Sequence, residues 1–115
     1  MDALVLAERA ASTEGLQVFP ILGDLMSPTL NRGDFALVAP VSRWEGDGCY
    51  VIGPAFDPGL YRCRRKGDRV ITRGDNPLYP EAEMSMADFN SEVLAIAVMK
   101  MNVMDRDRLP DSLRI

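Results

Sequence analysis

Apolar residues in this 115-residue chain come in short runs cut by Gly, Pro and Asp. Runs of that length, bounded by turn residues, predict strands rather than helices. Leu16–Phe19 is a short strand on this pattern, and Phe35–Ala39 a buried one closed by Pro40, which has no N–H for a sheet ladder. Glu45–Gly48 is a turn, followed by a strand over Cys49–Ile52. Gly59–Arg65 and Arg69–Arg73 flank Lys66-Gly67-Asp68 and predict a hairpin, ended by Asp75-Asn76-Pro77. The run Glu92–Met99 lacks helical periodicity, which predicts a strand buried on both faces. Helical signals are few. Leu4, Val5 and Ala11 suggest a turn or two within Met1–Ala11, and Pro28–Arg32 a brief turn ended by Gly33-Asp34.

Short strands between Gly, Pro and Asp turns predict a mostly β chain, either a sandwich or a partly rolled sheet. The length suits one core. The expected organisation is an N-terminal extension over residues 1–15, a domain over 16–104 and a polar tail over 105–115. A helix-turn-helix needs about three helices, and the residues before Leu16 do not supply them.

Composition narrows the function classes. Hydrophobic residues make up 47% and charged residues 26%, the balance of a folding, water-soluble domain. No stretch approaches the roughly 20 apolar residues that cross a bilayer. The start Met1-Asp2-Ala3-Leu4 is acidic where a secretory leader is basic, so a cytoplasmic protein without membrane contact is expected. With 17 acidic and 13 basic residues the net charge is −4, which argues against direct DNA binding by this chain. Cys49 and Cys63 are too few and too widely spaced for a disulfide framework, and a chain without histidine offers no zinc shell. No metal, cofactor or small-molecule ligand is expected.

Four boxes carry a resemblance. Gly23-Asp24-Leu25-Met26-Ser27-Pro28-Thr29-Leu30, continued by Arg32–Val38, resembles the Gly-Asp-Ser-Met-x-Pro-Thr-Leu box of the S24 peptidase family, a box shared with type I signal peptidases. Asp47–Ile52, Leu60–Arg64 and Gly74–Pro80 then follow in the order that family shows. The resemblance covers most of Gly23 to Met99 and is to the C-terminal domains of LexA and phage CI-type repressors. It implies a LexA/signal-peptidase-like rolled sheet of short, largely antiparallel strands. It also implies a homodimer, or a heteromer with a related repressor, in bacterial or prophage transcription regulation.

The family's self-cleavage needs a serine nucleophile and a lysine base, because a hydroxyl attacks poorly unless a neighbour takes its proton. A lysine does so near neutral pH only when burial lowers its pKa. Here the nucleophile position holds Leu25, and the base position falls at Cys63, or at Arg62 if the hairpin is one residue longer. Arginine stays protonated in proteins and cannot serve. The resemblance therefore implies a pseudo-peptidase with no catalytic residue. The alternative is a working self-cleaving peptidase using Ser27, two residues along from Leu25, with Lys66 as a displaced base. Against it, Lys66 stands beside Gly67 at an expected hairpin tip, exposed and charged.

The remaining charged and sulfur-bearing residues have bland readings. Cys63 among Arg62, Arg64 and Arg65 is a structural core thiol rather than a stabilised thiolate, and Cys49 is the same. Arg62, Arg64, Arg65, Lys66, Arg69 and Arg73 protect a sheet edge rather than bind phosphate. Glu81, Glu83, Asp105 and Asp107 are solvated surface. Met84, Met86, Met99, Met101 and Met104 belong to the core or a dimer interface.

Overall fold

The turn-bounded runs become strands, and the strands join into one sheet. The computed structural model describes residues 15–114. In them lie β1 (Gln17–Pro20), β2 (Phe35–Pro40), β3 (Gly48–Ile52), β4 (Gly59–Lys66), β5 (Arg69–Arg73), β6 (Ala82–Ser85) and β7 (Val93–Met101). A short helix, α1 (Met86–Glu92), leads into β7. The seven strands form one sheet in the order β1-β2-β7-β3-β4-β5-β6, every neighbouring pair antiparallel. The mostly β expectation holds. The turns expected within Met1–Ala11 lie outside the described residues.

Side chains alternate across the strands and divide the core in two. On one face Ala36, Val38, Val51, Leu60 and Ala95 pack against Ile21, Met26 and Leu30 of the long β1–β2 connection. On the other, Tyr50, Ile52, Cys63, Val70 and Val93 pack against Phe89 of α1. Trp44 completes an aromatic group there, its ring centroid 5.3 Å from Tyr50 and 5.2 Å from Phe89. Successive residues of β3 serve opposite clusters, so the centre of that strand is buried on both sides.

Burial on both faces was the expectation for the last apolar run, and the structure corrects it. Val93 and Ala95 are buried, but Leu94, Val98 and Met99 are exposed. Register shifts against β3 and β2 leave Leu94 and Val98 as the extra residues. A bulge adds one residue to a strand and turns it out of the alternation, so apolar content alone overstated burial. Glu92, the expected first strand residue, ends α1 instead.

Three other expectations change. The basic hairpin of β4 and β5 does not form a sheet edge, because β6 pairs with β5 outside it. Glu81 and Glu83 are not merely solvated: they approach Arg64 and Arg69 at 3.9 and 3.8 Å. The brief helical turn lies earlier than Pro28–Arg32, with the Ser27 N–H bonded to the Asp24 carbonyl and the Leu30 N–H to that of Met26. Of the methionines, Met84 and Met86 pack against the second cluster, whereas Met104 is fully exposed. Among the described residues no helix is long and apolar enough to cross a membrane.

Asp34, 6% exposed, ties the start of β2 to the chain leaving β7. Its carboxylate accepts from the Asn31 N–H at 2.8 Å, the Val103 N–H at 2.7 Å and the Asn102 amide at 2.9 Å. Burial alone would raise its pKa, but these donors outweigh burial and hold it below the ordinary value. A carboxylate with a lowered pKa stabilises the fold above its unfolded-state pKa, and that contribution is lost as pH falls through the folded value. Asp34→Asn is expected to cost about 1 kcal/mol at pH 7 in urea unfolding. The gap from the unmodified chain should narrow below pH 4.

Candidate functional site

The Gly23–Leu30 box folds as a tight turn whose side chains part in two directions. Met26 and Leu30, four residues apart, reach the first core cluster at 2% and 4% exposure. Leu25, between the turn's inner and outer sides, stays half-buried. The loop after β5 clasps this turn. Asn76 donates its N–H to the Leu25 carbonyl at 3.1 Å and its side-chain amide to the Asp24 carbonyl at 3.0 Å. Tyr79 adds a hydrogen bond from its hydroxyl to the Asp24 carboxylate. Gly74 lies so close that an added Cβ would stand 2.2 Å from the Leu25 carbonyl oxygen.

Asp75, next in the loop, joins the turn to β4. It accepts the Thr29 hydroxyl and a two-point contact from Arg62, at 2.6 and 2.8 Å. The Arg62 hydrogen bonds hold the Asp75 carboxyl down at about 2. In return Asp75 pushes the guanidinium further into its charged form. Proximity in the fold thus brings together two of the boxes that lie some fifty residues apart in the sequence.

Beside the turn opens a cleft of about 390 Å³. Phe19, Ile21, Leu22, Leu25 and Leu60 make its apolar wall, and Phe56 stands at its rim. Leu25 presents only hydrocarbon here. Ser27 is not among the lining residues, and its hydroxyl donates to the Asn31 side-chain oxygen at 2.8 Å. That partner is an amide oxygen, which takes no proton near neutral pH.

The two registers for the base position fall on opposite faces of the sheet. Cys63 packs with Tyr50, Val70 and Phe89 in the second cluster, away from the turn. Arg62 shares the face of Leu60 and is the residue tied to the box through Asp75 and Thr29. Burial pushes the Cys63 thiol up to about 12, so it remains protonated at neutral pH. Cys49 is also raised by burial, in spite of the Arg62 charge nearby. Neither thiol is a nucleophile in these surroundings.

The chain's two lysines stand elsewhere. Lys66 ends β4 at the Gly67-Asp68 turn, exposed, beside Arg64, Glu81 and Glu83 in a shallow groove. Lys100 is exposed on β7. The structure therefore brings Leu25, Ser27 and Arg62 to one side of the sheet; Cys63 faces the other, and Lys66, although it has the parity of Arg62, lies four residues further along β4 at the hairpin turn. Among the described residues no group of Cys, Asp and Glu is placed to hold a metal ion.

Sequence reasoning missed the clasp. Asp75 and Asn76 read as turn residues, which they are, but their side chains also hold the opposite box. The visible signal was Asp75-Asn76, two short side chains rich in hydrogen-bonding atoms, immediately after Gly74 in the fourth box. No protein-family model matches this chain, and no curated protein matches it.

Proposed function

We propose that this chain is a catalytically silent S24/LexA-like domain that acts by association, as a homodimer or with a related repressor, in cytoplasmic transcription regulation of a bacterium or prophage. The observation that carries the reading is Leu25. Peptide hydrolysis by this family's route needs a hydroxyl at the cleft and a neutral amine beside it. The cleft offers a leucine side chain, and the β4 cation tied to the turn, Arg62, is an arginine locked to Asp75. The order of the four boxes and their contact in the fold support the family assignment. Leu94, Val98 and Met99 of β7 are exposed apolar side chains that an association would take out of water, which supports this part of the reading.

Purified protein held at alkaline pH for a day is expected to keep its full mass in mass spectrometry. Fragments that vanish in Ser27→Ala would overturn the silent reading. Sedimentation equilibrium is expected to give twice the 12.7 kDa chain mass, and a monomer at high concentration would remove the homodimer. Leu25→Ser with Arg62→Lys, compared with Leu25→Ser with Cys63→Lys, tests the register. Any self-cleavage gained is expected from the Arg62 pair alone, because that position faces the turn.

A further inference from the structure

Phe56 lies in the connection between β3 and β4, and its side chain is 90% exposed while bordering the apolar cleft. A phenyl ring has a large apolar surface to remove from water, and the nearest apolar surface is the cleft wall of Phe19, Leu22, Leu25 and Leu60. We propose that the Phe56 loop is a lid, open in this structure, whose ring folds into the cleft over Leu25, so that the chain closes the cleft with its own residue.

Space, reach and anchoring support this. An apolar cavity of about 150 Å³ takes up a benzene ring, and the cleft measures about 390 Å³. Phe56 already borders the cleft, and it lies in the connection between β3 and β4, so the ring can turn inward without moving a strand. The loop is held at both ends. Gly53 donates its N–H to Glu92 at 2.8 Å, and Gly59 pairs with Ile52 at the start of β4. Between them the Asp57 N–H bonds back to the Pro54 carbonyl at 3.0 Å, which makes a small turn that moves as a unit. Asp57 lines the same rim and keeps its carboxylate in water as the neighbouring ring goes in. Closure places the ring against the Leu25 side chain, so anything that enters the cleft must first displace it. This inference rests on the cleft alone and does not depend on the proposed regulatory role.

Methyl-to-aromatic NOE spectra of the full chain test it. The expected result is cross-peaks from the Phe56 ring to the methyl groups of Leu22, Leu25 and Leu60. Phe56→Ala removes the lid from an exposed position and leaves the strands intact. It is expected to raise the fluorescence of added ANS by about twofold or more, because the dye reports newly open apolar surface. It should also lower Tm by about 2–6 °C. Absence of the cross-peaks overturns the proposal, and so does an ANS signal unchanged by Phe56→Ala, since the ring would then stand in water and cover nothing.

Discussion

Gly74→Ala is expected to lower stability by about 3–5 kcal/mol, through overpacking and the loss of two hydrogen bonds. The Cβ it adds would lie 2.2 Å from the Leu25 carbonyl oxygen and 2.6 Å from a Leu25 methyl. Backbone at that distance cannot yield by a side-chain rotation, so the loop and the turn must separate. Separation costs the two Asn76 hydrogen bonds, to the carbonyls of Leu25 and Asp24. Gly67→Ala is the control. Gly67 has φ +63° at the β4–β5 turn and open space around it, so alanine there meets only the backbone penalty, about 1–2 kcal/mol. Urea unfolding read by the single tryptophan, Trp44, measures both. Equal losses for the two variants would mean that the clasp between the boxes adds nothing to the fold.

Six of the seven strands were legible because turn residues bracket short stretches that carry apolar or β-branched residues. Pro40, Gly67 and Asp75 punctuate the chain where β2, β4 and the β5 connection stop. The helix was not. Met86–Glu92 is under two turns long, with Phe89 as its one fully buried residue, so no repeat exists for a periodicity reading to find. Its start is set by the Ser85 side chain, which accepts the Asp88 N–H at 3.0 Å, a cap that a sequence reading of the polar stretch passes over. β6 was hidden in the same way, since Ala82–Ser85 becomes a strand only by pairing with β5. At the site, Leu25 could be read directly, whereas the turn was read a few residues late, at Pro28–Arg32. The pairing of Arg62 with Asp75 could not, because thirteen residues and a hairpin separate them in the chain. The choice between Arg62 and Cys63 turned on strand parity, which a one-residue uncertainty in register reverses.

Arg62→Ala is expected to cost about 2–4 kcal/mol at pH 7, less than a fully buried pair would lose because water reaches the arginine. The two partners are unequally covered, with side chains 39% exposed for Arg62 and 13% for Asp75. Removal of the arginine therefore leaves a covered carboxylate whose remaining side-chain partner is the Thr29 hydroxyl. Arg62→Lys should fall between, since an ammonium keeps the charge but cannot reproduce the two-point contact. The effect must depend on pH. Asp75 has its carboxyl lowered to about 2, chiefly by the Arg62 hydrogen bonds, from an ordinary value near 3.8. A lowered carboxyl stabilises the fold fully above its unfolded value, so the pair contributes at pH 5 and above. That contribution declines as pH falls from about 4 toward 2, where a protonated Asp75 no longer needs a cation. Urea midpoints at pH 7, 4 and 2.5 should show the gap between Arg62→Ala and the unmodified chain closing with acid. Trp44 is a suitable reporter, because it packs on Tyr50 and Phe89 across the sheet from this pair. A gap that stays constant down to pH 2.5 would mean that Arg62 supports the fold by packing its aliphatic stem and not by holding Asp75, and the boxes would then owe their contact to the hydrogen bonds of Thr29, Asn76 and Tyr79.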